Sequence, residues 1–237
     1  MTEHLEMVAL EKDQKSLSGK VEQSDRIVVT YYTDPLCCWS WAFESHWRRF
    51  CDEYHERIER RYVMGGMIAD WKSFRDPIND ISSPAHMGPV WMHAAAVTNV
   101  PINFLIWHKD PPASSYPASI AVRNAFLQSQ HAGELYLHAV RRAVMTEQRN
   151  IARTEVLMEI VQEVSDSNPG MVSVEAFRDP FNEAAAREAF RADLQKVAFH
   201  KIGRFPTLTF VKGNGEGLIM TGLRPFEKLK ECLDYIV

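Results

Sequence analysis

Tyr31-Tyr32-Thr33-Asp34-Pro35-Leu36-Cys37-Cys38-Trp39-Ser40-Trp41 is the stretch on which the reading of this chain turns. It starts in a run of β-formers, Ile27 to Thr33, passes through an Asp-Pro turn and enters a segment with helical spacing. From Trp39 onward the large apolar residues recur at Phe43, Trp47, Phe50, Cys51 and Tyr54, which places them on one buried helix face. Cys37 therefore stands at a strand-to-helix junction. Unpaired N–H groups and the helix dipole at such a place favour a thiolate over a thiol, so Cys37 has two readings, an activated nucleophile if the site is accessible and a buried relic thiol in a scaffold reused for binding if it is not. A Cys-x-x-Cys there would be a redox pair, but the fourth residue is Ser40, and no second thiol resolves a mixed disulfide. Cys38 is a poor substitute, because a bridge between adjacent residues distorts the peptide that joins them.

Working outward, Arg26 to Tyr32 lacks polar alternation, as suits a central strand covered on both faces. Ile58 to Met64 reads as a second strand ended by Gly65-Gly66, completing a right-handed β-α-β unit with parallel strands. From Met67 to Asn168 there is little strand pattern. Helices are expected over Pro84–Thr98, Tyr116–His131, Gly133–Arg149 and Thr154–Ser165, with Pro, Gly or Ser breaks between them. Ser173 is read as the cap of a short helix and Asn182 as the cap of a longer one, with Ala186, Phe190, Leu194 and Val197 inward. Pro206–Lys212 and Gly217–Thr221 form a hairpin around Gly213-Asn214-Gly215, and a last helix buries Phe226, Leu229, Leu233 and Ile236. The expected organisation is a polar, mobile tail over residues 1–25, an α/β domain built from 26–66 and 170–237, and an all-helical insertion over 67–169.

The 237 residues are 46% hydrophobic and 11% aromatic, enough for a substantial core. A net charge of -4 and the lack of a long basic run argue against nucleic acid and anionic membrane as partners. The first residues carry Glu3, Glu6, Glu11, Lys12 and Asp13 with no apolar h-region, so the expected location is the cytoplasm, with reduced cysteines. Cys37, Cys38, Cys51 and Cys232 lack the paired spacing of a zinc site, and no metal is expected. Cys51 and Cys232 sit on apolar helix faces and read as core. No histidine neighbours Cys37 in sequence, and His46, His138 and the others read as surface or structural residues. Asp34 has two readings, a turn former and a buried proton acceptor near Cys37. Trp39 and Trp41 either wall a substrate pocket or cap the core, and Met64, Met67, Met87 and Met92 either line a pocket or fill core.

The order strand, Cys-motif helix, strand, helical insertion, helix, Pro-led hairpin, helix resembles the DsbA family, a thioredoxin-like α/β fold interrupted by an all-α insertion. The likeness rests on the Tyr31–Trp41 stretch and on Gly203-Arg204-Phe205-Pro206-Thr207. Its relatives include cytoplasmic DsbA-like oxidoreductases, 2-hydroxychromene-2-carboxylate isomerases, kappa-class glutathione transferases and SpxH-type adaptors of the ClpXP protease. The resemblance implies a thiol-disulfide oxidoreductase with catalytic Cys37, Ser40 and Pro206, where Cys37 is the nucleophile, Ser40 replaces the resolving cysteine and Pro206 matches the cis-proline. It implies substrate contacts from Phe205, Trp39, Cys38, Ser115 and Tyr116, with Phe205 offering its backbone to an added strand. It also implies no tightly bound cofactor, with glutathione admitted as a thiol co-substrate. Partners would be protein thiols or disulfides, or a small thiol, and a homodimer is compatible with the family. Two alternatives stand beside this reading: a glutathione-dependent isomerase or transferase, and a non-catalytic adaptor. Kappa-class relatives hold the γ-glutamyl end of glutathione with an Asp-containing pair before the last helix, where this chain has Leu223-Arg224, which weighs against the transferase.

Overall fold

The computed structural model describes residues 26–76 and 79–236. The segment 1–25, read above as a tail, lies outside the described residues. The elements run β1 (Ile27–Thr33), α1 (Cys38–Glu53), β2 (Ile58–Met64), α2 (Met87–Thr98), α3 (Ile106–Lys109), α4 (Tyr116–Gln128) and α5 (Gln130–Met145). They continue with α6 (Thr154–Ser167), α7 (Val174–Arg178), α8 (Pro180–Phe199), β3 (Thr207–Val211), β4 (Gly217–Thr221) and α9 (Phe226–Ile236). One mixed sheet has the order β2-β1-β3-β4, with β2 parallel to β1 and the other pairings antiparallel. This is the thioredoxin-like arrangement, with α2 to α7 inserted between β2 and α8.

β1 lies inside the sheet because both of its faces are apolar. Val29 and Tyr31 meet Phe43, Trp47 and Phe50 of α1, and this core continues through Leu208 and Phe210 to Leu229 and Leu233 of α9. Tyr32 and Val63 face the other way, against Ile202, Val197 and Phe205. Burying an aromatic or large aliphatic side chain here contributes about 1.5–3 kcal/mol. Cys51 and Cys232 are part of the α1–α9 core, as their helical spacing implied. The insertion packs around Trp91, Trp107 and Tyr136, and that core reaches Leu36 and Cys38 at the motif itself.

Local chemistry explains most boundaries, including two that lie away from their expected places. The expected helices Tyr116–His131 and Gly133–Arg149 break at Ser129 instead, which is extended and whose side chain accepts from Ala132 N–H. α8 begins at Pro180, capped by Asp179 accepting from Phe181 N–H at 2.8 Å, and not at Asn182. Asp-Pro is the stronger start because proline at the first helical position forfeits no intrahelical bond, and Asn182 donates its amide to Ala176 C=O. The four-residue α3 was not expected. It has too few residues for a periodic pattern to be visible.

The insertion is tied to the sheet by a buried charge cluster. Arg141 of α5 has a side chain 1% exposed; it donates to Glu44 of α1 at 3.0 Å and also to the Thr33 hydroxyl at the end of β1. His138, one turn earlier, bonds the other oxygen of Glu44 and packs against Trp41. Burial alone would push the Glu44 carboxyl up, but the His138 hydrogen bond and the Arg141 charge outweigh it and hold it below its ordinary value. Removing one member strands the other charge in a dry site. Arg141→Ala should therefore cost about 3–5 kcal/mol in urea unfolding, and Arg141→Met combined with Glu44→Leu should recover most of that loss. A double variant as unstable as the single one would show that the stranded carboxylate is not the cause.

Candidate active site at the start of helix α1

Cys37 is the N-cap of α1. Its backbone is extended (φ -81°, ψ 107°), and its sulfur accepts from Ser40 N–H at 3.4 Å, taking one of the unpaired donors of the first turn. The same sulfur donates to the carbonyl of Phe205 at 3.3 Å, across the Phe205–Pro206 peptide, which is cis. Only the protonated thiol can make that second bond. The side chain is nearly buried, at 5% exposure.

Of the two readings of the Cys37 thiol, these contacts favour the buried, protonated one. Burial pushes the Cys37 thiol up; the neighbouring Ser40 groups pull it down, Asp34 raises it further and Arg141 lowers it. Burial prevails over the helix terminus. Ser40 backs the sulfur through its backbone N–H, while its hydroxyl is buried without a well-formed hydrogen bond, although its proximity still counters the burial of Cys37. Cys38 points into the insertion core at 3% exposure, and burial raises its thiol well above the usual value.

A cleft of about 630 Å³ opens beside Cys37 between the sheet end and the insertion. Cys38, Trp39, Met67, Met87, Phe205 and Leu223 are among its walls, so it offers mainly apolar surface next to the sulfur. Of the other methionines considered above, Met64 is core and Met92 is exposed. Ser115 and Tyr116 do not line this cleft. Ser115 is wholly buried: its hydroxyl accepts from Ile68 N–H at 3.1 Å and donates to Asp34 Oδ2 at 3.0 Å. Tyr116 packs edge-on against Phe190. Their placement follows from Asp34, which also accepts from Leu36 N–H at 2.9 Å and Met67 N–H at 2.7 Å. Burial pushes the Asp34 carboxyl up to about 6 despite those three donors. Asp34 is thus a turn former and, at neutral pH, a carboxylate beneath the cysteine turn.

The matching family model, described as Thioredoxin, spans residues 31–231 of this chain. The chain belongs to the DsbA-like thioredoxin family. Curated relatives of this DsbA-like chain include the ClpXP adapter protein SpxH of Halalkalibacterium halodurans, 26% identical over 90% of this chain and 69% of that protein. The SpxH of Bacillus subtilis is 24% identical over 86% of this chain and 66% of that protein, so the chain spans about two thirds of these longer proteins. Among solved structures, the cytosolic disulfide reductase DsbM of Pseudomonas aeruginosa superposes with TM-score 0.66 at 20% identity, covering 89% of this chain and all 100% of that one. A Nitrosomonas europaea protein provisionally named a disulfide isomerase gives TM-score 0.72 at 24% identity, over 89% of this chain and 97% of that one.

Against this DsbA-like frame, the sequence reading missed Gly65. A Cβ there would stand 2.1 Å from Phe205 Cζ, so glycine leaves room for the ring of the residue whose backbone carbonyl faces Cys37. The Gly65-Gly66 pair was the available signal, but it read only as a strand end. Cys37 alkylation, followed on its peptide by mass spectrometry, should show a midpoint above the ~8.5 of a free thiol. Gly65→Ala, by displacing Phe205, should speed alkylation at pH 8 about tenfold and lower stability by about 1–3 kcal/mol. An unchanged rate in a folded variant would show that the Phe205 carbonyl does not hold the proton.

Proposed function

We propose that this protein is a thiol-disulfide oxidoreductase of the DsbA-like type that works in the cytoplasm through one nucleophile, Cys37. What carries the reading is the Cys37 thiol resting on the Phe205 carbonyl at the mouth of the cleft, with Ser40 behind it. In the exchange a disulfide-bearing substrate enters the cleft, and its backbone N–H takes the Phe205 carbonyl as a strand partner. The thiol then loses its acceptor and its proton. The Cys37 thiolate attacks one sulfur of the substrate, the substrate S–S bond breaks, and the other sulfur leaves as a thiolate that takes up a proton. The mixed disulfide is released by an external low-molecular-weight thiol of the glutathione class, whose sulfur bonds to the substrate sulfur and returns Cys37 to the reduced state. Two-electron reduction to a dithiol needs a second molecule of that thiol, because Ser40 has no electrons to offer.

The structure of DsbM with glutathione, TM-score 0.57 at 23% identity over 77% of this chain and 85% of that one, supports a small thiol as co-substrate. The test is mixed-disulfide trapping. Cys37→Ser should abolish adducts with a model disulfide peptide, and Ser40→Cys should raise disulfide reductase turnover at least about tenfold by supplying a resolving thiol. Unchanged behaviour in both variants would sink the reading.

A second reading, a non-catalytic adaptor, draws support from the proton-holding, buried thiol and from the curated relatives named as adapters. Affinity capture separates the two, since an adaptor keeps its partner in Cys37→Ala. The glutathione-dependent isomerase or transferase is the third class. Apolar Leu223 on the cleft wall weighs against it, and calorimetric titration with glutathione tests it through the presence or absence of tight binding.

A further inference from the structure

Among the described residues β2 is an edge strand, and they cover only half of its outer rim. In its C-terminal half, Met64 N–H donates to Asp193 Oδ2 at 2.9 Å, and Tyr62 C=O accepts from Arg123 Nη1 at 3.2 Å. Both positions are even-numbered, so the even positions of β2 turn their backbone groups away from β1. By the same parity the N–H and C=O of Arg60 point outward, and among the described residues neither has a partner. With Ile58 C=O and Tyr62 N–H on the same side, they form a short ladder that no described residue satisfies.

A surface groove of about 540 Å³ runs along this open half. Arg26, Arg60, Arg61, Arg123 and Lys196 stand on its walls, while Glu59 is the acid among the lining residues. Three of the guanidiniums are fixed by ion pairs, Arg60 to Glu134, Arg61 to Glu59 and Arg123 to Asp193, so these cations are ordered along the rim, and the exposed Lys196 adds a positive charge beside them. That charge is local, in a chain whose net charge is -4. Two such rims would repel each other, which disfavours a second copy as occupant.

We propose that the open half of β2 is a docking edge for an acidic, extended polypeptide segment of a partner protein, which adds as a strand beside Ile58–Tyr62. The ladder supplies main-chain hydrogen bonds and the flanking cations supply the charge preference. The groove lies at the start of β1 and β2, whereas Cys37 follows the end of β1. A strand rise of ~3.3 Å per residue puts the two about 20 Å apart. A partner held at this edge leaves the cysteine cleft free, and the surface does not depend on the thiol chemistry.

The probe is a fluorescein-labelled hexapeptide of alternating Glu and Val, titrated with the full chain by fluorescence anisotropy. Two control peptides have Lys in place of Glu, or N-methyl groups on alternate amides. The acidic peptide should bind, and each control should bind about tenfold more weakly or worse. Arg61→Glu with Lys196→Glu, both on exposed side chains, should weaken the acidic peptide about tenfold while thermal midpoint and Cys37 alkylation stay unchanged. Residue-resolved hydrogen exchange should show new protection of the Arg60 and Tyr62 amides on peptide addition. Equal binding of the Lys peptide, equal binding of the N-methylated peptide, protection confined to other residues, or no binding at millimolar peptide would each overturn the proposal. So would amides already protected without peptide: independence of protein concentration would assign the edge to the chain's own residues, and dependence on it to a second copy.

Discussion

The Asp34 carboxylate is the fixed point of this structure. It is wholly buried, and it accepts hydrogen bonds from the cysteine turn, from the segment after β2 and from the start of α4. A dry carboxylate is costly unless it is well paired, so these three segments are held together by the need to satisfy it. The sheet, the motif and the insertion thereby take one relative position. The Arg141 cluster makes a second tie farther along the same interface.

This geometry explains a thiol at rest. A helix terminus acts on a cysteine only through field and hydrogen bonds, both of which are opposed when solvent is excluded and a carbonyl faces the sulfur. In Cys37 the balance falls on the side of the thiol, and in the proposed reaction its release follows occupation of the Phe205 carbonyl by the substrate. The cleft and the sulfur are therefore coupled through one backbone atom.

Local and periodic features were legible in the sequence. The order of strands and helices, the buried faces of α1 and α9, and the placement of Cys51 and Cys232 all follow from spacing. Pairings across the chain were not. Arg141 and Glu44 are separated by 97 positions, and an arginine on a helix carries no mark that says whether it meets water or a buried acid. Ser115 looked like a loop serine ahead of a helix, and its burial under Asp34 depends on where the insertion lands. The choice between the two readings of the Cys37 thiol was out of reach for the same reason: the helix start is a local fact, and solvent exclusion is a tertiary one.

Ser129 ends α4 and caps α5 with no residue to spare between them. In a helix one residue is about 100° of rotation, so a single insertion or deletion at this corner would swing Arg141 off Glu44 and Thr33 unless a compensating change followed. Chains of this kind should accordingly resist length variation at this corner. The α4–α5 corner acts as a gauge block whose length is set by a contact in another part of the protein.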